Sequence, residues 1–434
     1  YNKKVTSMNF LSFSSPIIAI IQSILKAKRQ GREVWFYFLW MTLVLPRIIF
    51  GPSRVVVSSF PLVSSRRHHS PSSSFVRWFT SESTSGSRTG LTMKSEDDVV
   101  AKMVSCSKLE ECGARIREGH LVAFPTETVY GLGCHALDTE AVARVFCAKE
   151  RPTTDPLIVH LNSPEQALPL WSVSEEEKEC LQILMEAFWP GPLTLVAHAN
   201  DTVVPPLLTA DTGFVACRSP SHSLARSLIE AAGVPIAAPS ANKFGHVSPT
   251  QAQHVFDDLH QEDVWIIQYK PENSCQVGVE STVVKIQWDP NTQQGSVLLL
   301  RHGAISAHQL QKSLLSITTK WQVSIRPKHT SEQTPNVAPG QNIRHYSPHC
   351  DCFMISSQKY ALEEQEQSML SQVVVIDFAG QLDYMRDSCL AYRDLSLKGN
   401  SQEASASLFE TLRWSETIPN ATRVYIPEID INKN

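Results

Sequence analysis

Forty consecutive residues, LVAFPTETVYGLGCHALDTEAVARVFCAKERPTTDPLIVH at positions 121–160, restrict the architecture more than any other part of the chain. A short apolar run at 121–124 reads as a strand and leads into a turn rich in Thr and Gly. Asp138 then stands where it can cap a helix over 139–149, since its side chain accepts from backbone amides that the first helical turn leaves free. Pro152 ends that helix, and 157–161 is again an apolar run of buried-strand type. Strand, capped helix and strand in so short a space point to a sheet with helices packed on it.

The same grammar continues on both sides. Residues 108–118 read as a helix closed by Gly119, and 175–188 as a helix stopped at Pro190-Gly191-Pro192. Helices are also expected at 221–232 and 250–258, and strands at 193–199, 214–218, 236–238, 264–269, 282–286 and 297–301. Helices and strands alternate without a strict βαβ repeat, so 97–324 is expected to form one α/β domain on a mixed, twisted sheet. Residues 325–348 are polar, hold four prolines and lack apolar periodicity, which makes them a linker. A strand at 373–378 and a helix at 404–414 then imply a second, small α/β domain over 349–434.

Charge divides the chain unevenly. Residues 1–92 carry 12 Lys or Arg against 2 Asp or Glu, while the rest holds 27 basic and 41 acidic residues. A basic leader on an acidic body, with Ser and Arg abundant at 58–90, reads as an organellar transit peptide; the other reading is extended translation ahead of Met93. The product is then expected in the cytoplasm, or in a mitochondrion or plastid if the leader is genuine. The apolar run at 34–45 is about a dozen residues, against the roughly 20 that a spanning helix needs, so no stable membrane insertion is expected. An acidic body also argues against generic nucleic-acid binding, which needs a basic field. The 10 cysteines include no CxxC pair and fit a reducing compartment. Cys350-Asp351-Cys352 near His345 and His349 lacks the usual zinc spacing.

Four segments carry chemistry. In Pro125-Thr126-Glu127-Thr128, hydroxyls follow a strand directly, at the carboxyl end where α/β sheets bind ligands. Lys149 and Arg151 flank the end of a helix and, because Pro152 stops it, both can turn to one pocket, with Lys as a point charge and Arg as a fork. The loop PSANKFGHVSPT (239–250) brings Ser, Asn, Gly and His ahead of a helix, and GVEST (278–282) and Arg301-His302-Gly303 place hydroxyls and a cation at strand edges. Each has a plainer reading: a structural Thr/Gly turn, solvated cations favoured by the helix dipole, or a capping loop. No Walker loop, GxGxxG turn, GxSxG elbow or HExxH occurs. Cations and hydroxyls without a nucleophile favour catalysis on a phosphate ester by positioning and charge neutralisation, with Mg²⁺.

PTETVYGLG, KERPTTDPLIVH, FWPGPLTLV, PSANKFGHVSPT, GVESTVV and LLRHGAI together resemble the YrdC-like threonylcarbamoyl-AMP synthases, in order and approximate spacing, across 113–310. PGQNIRHYSP (339–348) is similar to the linker of that family's longer, two-domain form. The resemblance implies a YrdC-like twisted open sheet with a concave basic groove, a small Rossmann-like C-terminal domain, and a linker folding back over the active site. It implies synthesis of L-threonylcarbamoyl-AMP and pyrophosphate from L-threonine, bicarbonate or CO₂, and ATP. A partner threonylcarbamoyl transferase complex would move the group to adenosine 37 of tRNAs reading ANN codons, so tRNA contact is indirect or weak.

By the same resemblance Thr128, His160, Arg218, Ala238 (through its backbone) and Ser281 form the threonine site. Lys149, Arg151, Asp155, Ser240, Asn242, Ser248, Arg301 and Tyr346 form the ATP side, with Lys149 and Arg151 catalytic. No metal ligand is expected from protein side chains, Mg²⁺ arriving on ATP. Lys149 and Arg151 are expected to face solvent in the groove. Phe214 stands where family members often have Thr, and the chain departs from the family again at its C-terminal end, which reads as shortened. An RNA-binding YrdC-like module without catalysis is the alternative from another class, distinguished by salt-sensitive tRNA binding without ATP turnover.

Overall fold

The threonine turn is the joint of a hairpin. Strands β2 (Leu121–Pro125) and β3 (Tyr130–His135) pair antiparallel, Phe124 opposite Gly131 and Val122 opposite Gly133. A side chain at Gly133 would begin 2.8 Å from the Phe124 ring, so only glycine allows the two strands this approach. The sequence reads 125–133 as one turn, whereas the turn is confined to the residues between the two strands. The two glycines of YGLG weaken its local β propensity, and pairing with Phe124 and the sheet decides its conformation.

The computed structural model describes residues 100–269, 275–325, 336–339, 347–355 and 369–428. Residues 1–92, with the apolar run at 34–45, and Tyr346 lie outside the described residues.

The remaining strands of the large sheet are β1 (Lys102–Ser105), β4 (Ile158–His160), β5 (Leu193–His198), β6 (Phe214–Arg218), β7 (Ile236–Ala237), β8 (Val264–Gln268), β9 (Thr282–Asp289), β10 (Gln294–Arg301) and β11 (Trp321–Ile325). Among the described residues they form an 11-stranded sheet ordered β1-β8-β2-β3-β7-β4-β6-β5-β9-β10-β11. Its pairing is mixed: β4 runs parallel to β6, while β7 runs antiparallel to both β3 and β4. The expected α/β class with a mixed sheet is therefore the class found.

Helices α1 (Leu109–Arg117), α2 (Thr139–Lys149), α3 (Glu175–Phe188), α4 (Ser223–Ala232), α5 (Ala252–Leu259) and α6 (Ala307–Leu315) accompany this sheet. Asp138 caps α2 as its position foretells, its carboxylate accepting from the amides of Glu140 and Ala141. Ser174 and Glu177 close a capping box on α3. The main core includes Leu132, Val145, Leu157, Val159, Leu184, Leu195 and Trp321, all essentially sealed from solvent.

The C-terminal part is a parallel four-stranded sheet. Its strands, β12 (Asp351–Ile355), β13 (Val373–Asp377), β14 (Ala391–Asp394) and β15 (Arg423–Pro427), are ordered β12-β15-β13-β14, with α7 (Ser401–Glu416) packed against them. A unit of this size holds a marginal core alone. Its core is extended by Val129, Val247 and Val279 from the larger sheet's loops, which join Val374, Ile376, Leu408, Leu412 and Val424 in one cluster. Gly278, at φ +68, lies so close to α7 that a side chain there would begin 2.4 Å from the Ala406 Cα. The C-terminal unit thus rests on loops that carry the candidate site.

Candidate functional site

Between the ends of β2, β4, β6 and β10 lies a groove of about 450 Å³, open to solvent. Thr128, Arg151, His160, Arg218, Ala238, Ser240, Ser281 and Arg301 are all on its wall.

At one end the Thr126 hydroxyl organises the turn, accepting from the amides of Thr128 and Val129 and donating to the Val129 carbonyl. The turn delivers Thr128 Oγ1 to Arg218, whose Nη1 donates to it at 3.0 Å. Arg218 Nε donates to the Gly191 carbonyl, and Nη2 lies 2.5 Å from a Glu127 carboxylate oxygen. Both partners of this ion pair are buried. Burial alone would raise the Glu127 carboxyl, but the Arg218 charge and hydrogen bonding outweigh it and hold the pKa below the ordinary range.

His160 sits at the end of β4, in register with Arg218 on β6. Its Nδ1 is 3.1 Å from the Ile158 carbonyl, an acceptor only, which places the proton on Nδ1 and leaves Nε2 as an acceptor. Burial first, then the Arg218 charge, pushes its pKa down to about 3. The ring is neutral at physiological pH.

At the other end the geometry corrects an expectation. Lys149 and Arg151 do not face solvent: they are 1% and 6% exposed. Glu150 takes the left-handed conformation at φ 54 where α2 ends, and the Phe244 amide bonds the Lys149 carbonyl, so the PSAN loop folds over the helix end. Lys149 Nζ donates to the carbonyls of Ser240, at 2.5 Å, and Asn242. Burial, then repulsion from Arg151, drives its pKa well below the usual lysine value. Arg151 pairs with Asp155 at 2.9 Å and donates to the carbonyls of Asp155 and Pro156, and the residue lines the groove wall.

Lys149, Asp155, Asn242 and Ser248 stand behind that wall. Asn242 Nδ2 donates to the carbonyls of Lys243 and His246 and so shapes the PSAN loop. Ser248 donates to Glu280 at 2.8 Å. Arg301 donates through Nη2 to the Ser281 hydroxyl and through Nε to the Ser281 carbonyl, and lies 3.6 Å from Glu280. Ser281 also bonds Thr194. Residues expected to serve two different substrates are therefore in direct contact at Ser281 and Arg301.

Glu127, Glu280 and Thr194 were not singled out from the sequence, whereas Thr126, expected as a ligand hydroxyl, organises the turn instead. Glu127 lay inside a quoted motif between two threonines, and a carboxylate there was a readable partner for a buried Arg. Pro339 lines the groove too; in its segment, the Asn336 amide bonds the Thr154 carbonyl and Ala338 is buried against Ile158, Val196 and Ala216. This stretch of the linker lies on the site.

A family profile described as "Telomere recombination" matches residues 114–303, and one described as "Threonylcarbamoyl-AMP synthase, C-terminal domain" matches residues 305–434. A Threonylcarbamoyl-AMP synthase of Pyrococcus abyssi (strain GE5 / Orsay) is 39% identical over 266 residues, 61% of this chain and 73% of the relative. Its counterpart in Bacillus subtilis (strain 168) is 39% identical over 56% of this chain and 64% of the relative. That of Schizosaccharomyces pombe is 38% identical over 52% of this chain and 58% of the relative. The crystal structure of P. abyssi Sua5 complexed with L-threonine is similar with a TM-score of 0.62 and 32% identity, covering 76% of this chain and 93% of that one.

Proposed function

The chain belongs to the threonylcarbamoyl-AMP synthase family, and from that premise we propose that it joins L-threonine, bicarbonate or CO₂, and ATP into L-threonylcarbamoyl-AMP with release of pyrophosphate. The observation that carries this reading is that one groove holds both halves of the inventory: Thr128, His160 and Arg218 at one end, Arg151, Ser240 and Arg301 at the other.

In this reading the N–H groups of Arg218 not engaged by protein pair with the threonine carboxylate, a charge-assisted contact. Neutral His160 offers Nε2 as an acceptor to threonine's polar groups, and the Ala238 backbone and Ser281 complete that side. Arg151, Ser240 and Arg301 face the triphosphate, while Asn242, Ser248 and Asp155 hold them in place and Tyr346 closes from the linker. The threonine carbamate oxygen attacks the α-phosphorus in line and pyrophosphate leaves. The protein supplies no nucleophile; it positions the reactants and neutralises charge with Arg151, while Lys149 holds the PSAN loop in shape from behind the wall. Among the described residues Glu280 is the one carboxylate on the groove wall, which suits Mg²⁺ carried by the triphosphate rather than a protein cage. That ion would neutralise phosphate charge when bound.

The product would pass to a transferase complex that modifies adenosine 37 of tRNAs reading ANN codons. The Ser- and Arg-rich leader supports delivery to a mitochondrion or plastid, and without it the enzyme works in the cytoplasm. The groove cations are matched by Glu127, Asp155 and Glu280, so they do not form the basic track that an RNA-binding module needs.

The test is pyrophosphate release by the purified chain given ATP, bicarbonate and threonine. Release that depends on threonine is expected; a folded sample that releases none, or releases it equally without threonine, removes the proposal.

A further inference from the structure

His246 belongs to the PSANKFGHVSPT segment, yet it is not on the groove wall. It points instead toward the C-terminal unit. Its Nε2 lies 2.9 Å from a carboxylate oxygen of Glu416, the last residue of α7. The other oxygen of that carboxylate lies 2.6 Å from Nδ1 of His349, just beyond the linker. One ligand atom from each of the three residues falls within 4.8 Å of the other two. We propose that His246, His349 and Glu416 bind a transition-metal ion of the zinc type, joining three separate segments of the chain.

Three features favour a metal over hydrogen bonds alone. The donor set, two imidazoles and a carboxylate, is one that zinc accepts. The outer shell is built: His246 Nδ1 is held at 3.0 Å by Asp258, whose carboxylate is fixed by Arg413 at 2.9 Å, both buried. A carboxylate on one ring nitrogen orients the other toward a metal and raises its basicity. Finally, His349 has 82% of its side chain exposed, yet its ring and its backbone amide, the latter at 2.8 Å, both converge on Glu416. A surface ion pair alone gives little reason to order such a side chain.

The consequence is mechanical. Residue 349 follows the linker, His246 shares its loop with Ser240, Asn242 and Ser248, and Glu416 ends the helix that packs on Gly278. An ion bound to all three fixes the far end of the linker to the phosphate-side loop. Zinc binding would displace the proton from His246 Nε2 to solvent.

The experiment uses the full chain, freed of metal with a chelator and titrated with zinc chloride against a chromophoric competitor. One equivalent is expected, with affinity lowered at least tenfold in His349→Ala and in Glu416→Gln. Excess magnesium chloride should not compete, since hard Mg²⁺ prefers oxygen ligands. The exposed His349 makes its replacement safe for folding. Because the chain holds 10 free cysteines, cobalt is the second probe: weak visible bands without an intense thiolate charge-transfer band are expected. A thiolate band, unchanged affinity in His349→Ala, or no binding at all would overturn the site.

Discussion

Arg218 and Lys149 are both buried cations beside one groove, and they are held in opposite ways. Arg218 has a full countercharge in Glu127, with Thr128 and the Gly191 carbonyl filling out its fork. Lys149 Nζ is held directly by dipoles, the carbonyls of Ser240 and Asn242, with the carboxylates of Asp258, Glu280 and Asp155 acting on it from further off. An ion pair out of water leaves a stranded charge if one member is lost. An amine between carbonyls can shed its charge, as the lowered pKa of Lys149 records, and its removal strands only two acceptors. The Arg218 position is therefore electrostatically brittle, while the Lys149 position tolerates loss of charge but not loss of shape.

The strongest way to break this contrast is Arg218→Met. Leaving Glu127 buried without its cation should cost about 3–5 kcal/mol in denaturant unfolding. Adding Glu127→Gln should recover part of that loss; if the double variant is as unstable as the single one, Glu127 is not the brittle element. Lys149→Met keeps the aliphatic stem and leaves two carbonyls without a donor, for about 1–3 kcal/mol. Threonine-dependent pyrophosphate release should nevertheless vanish. A larger stability loss in Lys149→Met than in Arg218→Met would invert the comparison.

Much of this was legible in the sequence, and the exceptions share a cause. The cap at Asp138 and the stop after Lys149 were readable because capping and proline act within a few residues. Thr128, Arg151, Ser240, Ser281 and Arg301 were readable because each ends or follows a strand or helix whose motif is local, whereas His160, Arg218 and Ala238 were assigned by the family resemblance. Strand β3 was missed, since glycine is a poor strand former and Gly133 is required only because the nearby ring of Phe124 leaves no room for a side chain. The burial of Lys149 was missed for a similar reason: it depends on a loop 91 residues further on. Glu127 as partner of Arg218 and Glu416 as partner of His246 are likewise contacts between distant segments. Local signals place a side chain on an element, and only tertiary packing says what covers it.

His160 sharpens the contrast by a smaller amount. It stands in register beside Arg218, and a second cation there would compete for the same countercharge. Burial and that neighbour hold its pKa near 3, below the roughly 6.5 of an unfolded histidine. The unfolded chain therefore takes up a proton first as pH falls, so stability present above pH 6.5 is lost progressively between 6.5 and 3. For one such group, the step from pH 6.5 to 5.5 is worth about 1 kcal/mol. His160→Gln, which cannot titrate, should show a drop smaller by that amount when urea unfolding is compared at the two pH values. If wild type and variant lose stability in parallel, His160 is not held neutral, and the threonine end of the groove carries two cations rather than one.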